Sequence, residues 1–230
     1  MNYKAIFFDL DHTLWDYQKN ASEALEELYK QFDLYRLGGF SSSAFIERFT
    51  TVNYGLWDQF NHGLIDKDKL REERFHKILH HFKVLDKPLS LKISDAYLKL
   101  CPTKTNLFPY THDVLSYLQS KYQLYILTNG FNDVQQIKIN SSNLTSYFKG
   151  VITSDSIGYK KPNKEIFDHA LEVAGIANYE GLMVGDNLNA DIRGARNADI
   201  ASIYFNPERN RHKEKQLTEI SCLSELMNIL

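Results

Sequence analysis

The stretch AIFFDLDHT, residues 5–13, is an apolar segment that runs directly into two aspartates. Its apolar residues predict a buried β-strand, and a carboxylate at the end of such a strand is costly unless a partner compensates its charge. Asp9 and Asp11 lie two positions apart, so their side chains share one face of an extended chain. Like charges that close repel each other unless a cation joins them. We therefore predict a divalent metal site at a strand end, where one of the two acids is free to act as a nucleophile.

Four further segments predict strands, because each is short and nearly continuous in apolar residues, as parallel strands buried on both faces are. They are Gln123–Thr128, Gly150–Thr153, Leu182–Asp186 and Ala201–Phe205. Helical patterns separate them; in Lys164–Ala174 the apolar residues lie on one face, and Gly175 follows the last of them. The alternation predicts a Rossmann-like α/β fold, an open parallel sheet with helices on both faces.

The region between the first strand and the rest of the sheet has helical periodicity and no convincing strand. Its amphipathic segments are Ala21–Phe32, Ser43–Phe60, Lys67–Phe82 and Leu91–Leu100. Gly38-Gly39, Gly63 and Pro88 lie between these segments and separate them. We therefore predict two domains, a catalytic core formed by residues 1–15 and 106–230 and a helical insert formed by residues 16–105.

The composition is that of an ordinary globular protein, with 230 residues of which 43% are hydrophobic and 24% charged. A net charge of -2 gives no reason to expect a nucleic acid or a membrane surface as partner. The sequence shows neither a signal-peptide pattern nor the roughly 20 apolar residues of a membrane span. Cys101 and Cys222 have no metal or redox spacing, so we expect free thiols. We expect a cytoplasmic enzyme with a small-molecule substrate, and the pattern indicates no particular oligomeric state.

Three more polar elements follow predicted strands. The TNG motif at residues 128–130 offers a hydroxyl, an amide and a glycine that lets backbone amides turn toward an anion. The KKP motif at residues 160–162 places cations just before a helix whose N-terminal amides also attract anions. Asp186 and Asp191 follow the fourth strand. Open α/β sheets bind ligands at their carboxyl edge, so the set suits a phosphate held against Mg²⁺ and attacked by a carboxylate.

The four elements, in this order, resemble the motifs of the haloacid dehalogenase superfamily of phosphohydrolases, and they span residues 9–191. The helical insert after the first motif resembles the C1 cap of that family. Three segments are further similar to the YjjG-type 5'-nucleotidases of bacteria: VNYGLW at 52–57, TNGF at 128–131 and KPNKEIFD at 161–168. The resemblance implies a Mg²⁺-dependent phosphomonoesterase that acts on nucleoside 5'-monophosphates, with pyrimidines preferred.

The same resemblance assigns the acids. Asp9 is expected to be the nucleophile that forms an aspartyl-phosphate. Asp11 is expected to protonate the leaving oxygen and then to deprotonate the attacking water. Mg²⁺ is expected to bind the Asp9 carboxylate, the Asp11 backbone carbonyl and Asp186, with waters completing the shell. Asp191 is expected to support the metal site from outside that shell.

The resemblance also assigns the groups that hold the phosphoryl oxygens. Thr128 is expected to donate a hydrogen bond to them, helped by the backbone amides of Asn129 and Gly130. Lys161 is expected to pair with both Asp9 and the phosphate. Lys160 is the rival for this role, which its greater distance from the proline disfavours.

Two aromatic residues are candidates for reading a nucleobase, Trp57 in the insert and Phe131 directly after the TNG motif. Each has the alternative interpretation of a packing residue, which is the commoner use of a large aromatic side chain. His76 and His80 are spaced like metal ligands on a helix, but the glutamate of an HExxH motif is missing, so we interpret them as structural.

Other functions share some of these features. A sugar-phosphate phosphatase, or one for another small metabolite, has the same four motifs and differs in what the insert recognises. A 2-haloacid dehalogenase would use Asp9 but has no need of Asp11 or Asp186. A phosphomutase keeps every motif and differs in its product. A non-catalytic binding module usually loses the nucleophile or a metal ligand, and here all are present.

Overall fold

The computed structural model describes residues 2–215 and 217–230. The chain forms two compact units, one made of Met1–Tyr17 and Thr105–Leu230, called the core below, and one made of Gln18–Lys104, called the insert. The sequence-based prediction for the insert was residues 16–105, which differs from these bounds by two residues at the first end and one at the second. No helix within the described residues combines the length and hydrophobicity that a membrane span requires.

The regular elements alternate along the core and are all helical in the insert. The α-helices are α1 Tyr17–Gln31, α2 Leu34–Gly38, α3 Ser42–Asn61, α4 Lys67–His81, α5 Lys87–Leu100, α6 Thr111–Gln119, α7 Asn132–Ser141, α8 Ser154–Ile157, α9 Lys164–Ala174, α10 Gly194–Asn197 and α11 Leu226–Ile229. The strands are β1 Ala5–Phe8, β2 Gln123–Thr128, β3 Gly150–Thr153, β4 Gly181–Gly185, β5 Ala201–Phe205 and β6 Thr218–Ile220. A π-helical turn over Leu188–Arg193 precedes α10.

The strands of the core form one sheet in the order β3-β2-β1-β4-β5-β6, and each neighbouring pair is parallel. β1 is central: Ala5 lies opposite Gln123 of β2 on one side and Gly181 of β4 on the other. All four residues of β1 are fully buried, which explains its unbroken apolar sequence. The predicted open parallel α/β sheet is confirmed.

The sequence does not predict the edge strand β6, and the reason is physical. It has the sequence TEI, and only Ile220 of its three residues is buried. An edge strand that faces solvent needs no apolar run, so nothing in its composition distinguishes it from a loop.

Helix α9 shows how the core is packed. Ile166, Phe167 and Ala170 lie on its buried face, in one cluster with Phe7 of β1 and Met183 of β4. The helix ends where Gly175 takes a left-handed φ of 66° and donates its N–H to the last carbonyls, a conformation that glycine adopts without steric cost. This packing covers the sheet with helix and leaves the carboxyl ends of the strands to the site.

The insert consists of helices α1 to α5 around aromatic side chains. Phe49 of α3, Phe75 of α4 and Tyr97 of α5 meet with ring centroids 5.0–5.8 Å apart. The side chains of Ser41, Asp66 and Asp86 cap α3, α4 and α5 by accepting backbone N–H groups. These contacts build a small core within the insert itself.

Several details of the insert differ from the sequence-based prediction. Helix α1 begins at Tyr17 and not at Ala21. The short helix α2 was not foreseen. Helix α5 begins at Lys87 and not at Leu91, because Pro88 occupies its first turn, where the missing N–H would have no helical partner anyway. The expectation that Pro88 separates two helices is therefore wrong, because Pro88 lies within the first turn of α5.

Candidate active site

The site lies at the carboxyl edge of the core sheet, where three adjacent strands end. Asp9 follows β1, Thr128 is the last residue of β2, and Asp186 follows β4. Because β1 pairs with both β2 and β4 in register, these ends meet at one edge. Parallel strand order therefore brings together side chains that stand far apart in the sequence.

Lys161 is the buried cation of this edge, with a side chain only 2% exposed. Its Nζ donates to Asp9 Oδ1 at 2.9 Å, to Asp191 Oδ1 at 2.6 Å and to the Leu127 carbonyl at 2.7 Å. Burial works to lower the pKa of this ammonium, but the carboxylates of Asp191 and Asp9 raise it on balance. Lys161 therefore stays charged. Of the two lysines of the KKP motif, it is Lys161 that reaches Asp9.

Asp191 has both carboxylate oxygens in use. Oδ1 accepts from Lys161, and Oδ2 accepts the backbone N–H of Asn187 at 2.9 Å. Its carboxylate is packed so closely that a Cβ on Gly185 would lie 2.2 Å from Oδ2, so the glycine provides the space. This arrangement suits a residue that orients Lys161 and the loop after β4.

Asp9, Asp186 and Asp191 place carboxylate oxygens within 4.8 Å of one another. Burial is the main cause that raises the pKa of Asp9, to about 7, and that raises the pKa of Asp186 well above its ordinary range; the repulsion between the acids adds to both shifts. The hydroxyl of Thr13 donates to Asp186 Oδ1 at 3.1 Å. Lys161 alone does not balance this negative charge, so the donor set fits a hard divalent cation such as Mg²⁺.

Thr128 is poised to donate its hydroxyl proton. Its Oγ1 accepts the N–H of Gly130 at 3.0 Å and the side-chain Nε2 of Gln135 at 2.8 Å. A hydroxyl oxygen has two lone pairs, and both are taken, so the remaining function of the group is to donate. An anion beside β2 would meet that proton.

The other two residues of the TNG motif act differently from the sequence-based account. The Asn129 side chain clamps the backbone of Lys161, donating to its carbonyl at 2.9 Å and accepting its N–H at 2.8 Å. Gly130 does not have a left-handed φ. It is a glycine because a Cβ would lie 2.1 Å from Nε2 of Gln135. Close packing against Gln135, and not a left-handed φ, therefore accounts for the glycine at residue 130.

Asp11 has two partners that the sequence analysis did not identify. The Nζ of Lys138 donates to Oδ1 at 2.6 Å and to Oδ2 at 2.8 Å, and Nε2 of Gln135 donates to Oδ2 at 3.0 Å. Both partners are on α7 and both are buried. A signal was available: Phe131, Gln135 and Lys138 follow one another at helical spacing, directly after the TNG motif.

The candidate base-reading residues lie in different units. Phe131 is in the core, precedes α7 and is 4% exposed. Trp57 is in α3 of the insert, half-buried, with its ring 5.4 Å from that of Phe60 in an edge-on arrangement. Their contact with a base stays a prediction. Cys101 and Cys222 form no disulfide within the described part of the chain, and the His76–His80 pair is not part of the acidic group described above.

The chain is similar to known proteins over its full length. A family model for haloacid dehalogenase-like hydrolases matches residues 3–199. Pyrimidine 5'-nucleotidase PynA of Streptococcus pneumoniae is 31% identical, with 100% of this chain and 96% of that protein covered. Pyrimidine 5'-nucleotidase YjjG of Escherichia coli is 29% identical, with 100% and 99% covered.

Other similar proteins bear different names. A glyceraldehyde 3-phosphate phosphatase of Methanothermobacter thermautotrophicus is 30% identical, and 99% of each chain is covered. A crystal structure of YfnB from Bacillus subtilis bound to magnesium matches with a TM-score of 0.88 and 27% identity, covering 100% of this chain and 99% of that one. The 2-haloacid dehalogenase of Pseudomonas syringae matches with a TM-score of 0.68 and 26% identity, covering 99% and 97%.

Proposed function

The chain belongs to the haloacid dehalogenase-like hydrolases, and we propose that it is a Mg²⁺-dependent phosphomonoesterase that hydrolyses nucleoside 5'-monophosphates. One observation carries the phosphatase assignment: Asp9 stands at the end of β1 with Lys161 on its Oδ1 and with Asp186 and Asp191 beside it. A carboxylate that is held by a lysine and surrounded by further acids is arranged for attack on a phosphoryl group that a metal and a cation neutralise.

The metal would be held by the carboxylates of Asp9 and Asp186 together with the backbone carbonyl of Asp11. When bound, Mg²⁺ would supply the positive charge that lets carboxylates and a phosphate dianion share one site. Asp191 is left outside this set, because Lys161 and the Asn187 amide already occupy its oxygens. The magnesium bound to the similar YfnB structure supports the choice of ion.

The chain's own residues supply the remaining chemistry in two steps. Asp9 attacks the phosphorus atom, the bond to the ester oxygen breaks, and that oxygen takes a proton from the Asp11 carboxyl group. Water then attacks the aspartyl-phosphate and gives its proton to Asp11, while inorganic phosphate leaves and Asp9 is regenerated. Asp11 therefore serves both steps and ends in its starting form.

The phosphoryl oxygens would be held by the hydroxyl of Thr128 and the ammonium of Lys161. The hydroxyl oxygen accepts two hydrogen bonds, which supports a role for its own proton as the donor to phosphate. Asn129 contributes through its clamp on Lys161 and, we propose, through its backbone amide. The N–H of Gly130 is engaged with Thr128, so its contribution to phosphate binding is to orient that hydroxyl.

The substrate class rests on the relatives and on the insert. Two relatives that match over the full chain are named pyrimidine 5'-nucleotidases. We propose that the insert reads the leaving group and that Trp57 offers a face for a base to stack on. A second candidate is a small sugar-phosphate substrate, favoured by the full-length similarity to a glyceraldehyde 3-phosphate phosphatase.

A panel of esters tests the proposal. The purified protein is assayed for phosphate release with Mg²⁺ on dUMP, dTMP, UMP, purine monophosphates, glyceraldehyde 3-phosphate and hexose phosphates, and 2-chloropropionate is tested for chloride release. We expect the highest kcat/KM on pyrimidine monophosphates. Hydrolysis of sugar phosphates alone would transfer the assignment to the second candidate. Chloride release without phosphate release would overturn the phosphatase assignment altogether.

A further inference from the structure

Lys138 is a buried cation that forms an ion pair with the Asp11 carboxylate. Its side chain is 5% exposed, and its Nζ lies within hydrogen-bond distance of both oxygens of Asp11. The Trp15 ring lies 4.6 Å from the same ammonium, which faces the ring as cations do in cation–π contacts. Burying a lysine is costly unless its charge is paired, and the ion pair with Asp11 offsets that cost.

Gln135 adds a second, directional contact. It is fully buried, and its Nε2 donates one hydrogen to Asp11 Oδ2 at 3.0 Å and the other to Thr128 Oγ1 at 2.8 Å. In this orientation Oε1 of Gln135 has no hydrogen-bond partner among the described residues, but the opposite orientation would point that oxygen at the Asp11 carboxylate, so the contact with Asp11 favours the first. The space for this amide exists because residue 130 has no side chain.

The two oxygens of Asp11 are consequently not equivalent. Oδ2 accepts from both Gln135 and Lys138, whereas Oδ1 accepts from Lys138. Each carboxylate oxygen offers two lone-pair sites, so Oδ1 keeps one site that these contacts leave unused. The side chain of Asp11 is 23% exposed, so without these contacts it could rotate away from the reacting ester.

We propose that Lys138 and Gln135 are positioning residues that hold the Asp11 carboxyl group with Oδ1 toward the ester oxygen, where it exchanges the proton of the reaction. The inference rests on the proposed phosphatase function, and it assigns Lys138 no contact with the phosphate. Geometry of this kind matters because a misplacement of about 1 Å of a catalytic group can cost about 100-fold in rate. Thr128 is tied to the same amide, so one side chain aligns the acid with the phosphate-binding hydroxyl.

The test compares two esters that differ in their need for protonation. p-Nitrophenyl phosphate has a leaving group that departs without a proton, whereas an alkyl ester needs one; the alkyl ester is the best substrate of the panel. Lys138→Met and Gln135→Leu are measured for kcat/KM on both, since this constant reports the step in which the ester bond breaks. We expect losses of about 100-fold for the alkyl ester and of less than about 10-fold for p-nitrophenyl phosphate, the range in which acid catalysis contributes.

Matched controls separate this effect from damage to the fold. Gln136→Leu changes the neighbouring, exposed residue of α7, and Lys149→Met changes an exposed lysine of the core; both should keep wild-type ratios. Lys138→Arg keeps the charge and should recover part of the alkyl-ester activity. Equal losses on the two esters for Lys138→Met, in a protein that unfolds at the wild-type temperature, would overturn the proposal.

A double-mutant cycle gives a second, independent decision. If Lys138 acts only through Asp11, then Lys138→Met added to Asp11→Asn should change the residual kcat/KM by less than about 3-fold, because the group it positions is already lost. A further loss of about 100-fold, as large as in the wild-type background, would show a separate role and refute the proposal. Absence of phosphatase activity in the wild-type protein itself would instead remove the proposed function, so the two failures are distinguishable.

Discussion

The carboxyl edge of the core and the interior of the insert both bury cations, but they stabilise them in different ways. At the sheet edge, Lys161 and Lys138 each donate to a carboxylate at 2.6–2.9 Å. In the insert, Arg74 is 4% exposed and its guanidinium lies 6.0 Å from the Phe49 ring centroid and 5.5 Å from that of Tyr97. Its Nε has no hydrogen-bond partner among the described residues.

This difference indicates a division of labour. Charged groups in direct contact at the sheet edge are coupled, so a change in one alters the others and the chemistry of every substrate. A cation held by aromatic rings is part of a packed interior, where we expect a substitution to change stability or shape. If the insert reads the leaving group as proposed, substitutions there should affect some substrates more than others. The predictions below test that division, beginning with the largest expected effect.

Asp9→Asn should abolish turnover on every ester, by at least about 1,000-fold, because an amide is not a nucleophile of comparable strength. The substitution is nearly isosteric, so the unfolding temperature should stay close to the wild-type value. Phosphate release is measured on the panel, with Asp199→Asn, an exposed position of the core, as the control. Residual activity within 10-fold of wild type, about 1.4 kcal/mol of barrier, would remove Asp9 as nucleophile.

The sequence made the acids of the sheet edge predictable because each stands directly after an apolar strand. Asp9 and Asp186 are marked in this way, and Thr128 is the last residue of its own apolar strand; strand order alone then brings the three together. Lys161 was marked by its motif. The site residues that the sequence does not predict lie on helix α7, where Gln135 and Lys138 are polar residues within a polar sequence. Such residues are typical of a solvated helix face. Their helical spacing from Phe131 is a weak signal in the sequence, and the tertiary packing shows that they are buried.

The insert was predictable to a lesser degree. Helical periodicity indicated four of its segments, since apolar residues recur on one face of each. Arg74 carries no such mark, because an arginine in an amphipathic helix normally faces solvent. A contact with a base depends on shape and on ring faces that no spacing encodes. The role of Trp57 therefore needs an experiment, whereas the arrangement around Asp9 could be anticipated.

Mg²⁺ should raise the unfolding temperature, and more so at pH 8 than at pH 6. Burial and neighbouring acids raise the pKa of Asp9 to about 7, from an ordinary value of 3.8, so the metal-free folded protein holds protons that the unfolded chain has lost. Stability from this group is present below pH 3.8 and disappears as the pH rises through about 7. Metal binding needs the ionised carboxylates, so its stabilisation grows over the same interval.

Thermal unfolding in Mg²⁺ and in EDTA measures that difference at each pH. Asp186→Asn should eliminate most of it, because one of the two expected carboxylate ligands is lost. Asp199→Asn, again the exposed control, should leave it unchanged. Equal unfolding temperatures in Mg²⁺ and EDTA for the wild-type protein at pH 8 would contradict the metal site.

Trp57→Ala in the insert and Phe131→Ala in the core are compared with each other, and their expected effects are smaller. Trp57 is half-buried, so its loss should raise KM for a pyrimidine monophosphate by about 10-fold while p-nitrophenyl phosphate is affected much less. Phe131 is 4% exposed, so we expect its loss to lower stability and to reduce activity on both esters in proportion. Steady-state kinetics on the two esters decide between the alternatives. A nucleotide-selective effect of Phe131→Ala would make it a base-reading residue, and a proportional effect of Trp57→Ala would make Trp57 a packing residue.

Arg74→Met should have the smallest effect on folding. Methionine has a similar length and keeps the contact with the aromatic rings, while the cost of burying a guanidinium disappears. These two changes oppose each other, so the free energy of unfolding should shift by less than about 1 kcal/mol.

Lys161→Met is the matched contrast in the core: it leaves Asp9 and Asp191 buried beside each other without their cation, which should cost about 3–5 kcal/mol at pH 8. Urea unfolding of both variants measures the two shifts. A loss above 3 kcal/mol for Arg74→Met, several times the usual cation–π contribution of about 1 kcal/mol, would show that Arg74 is as tightly coupled to its surroundings as Lys161.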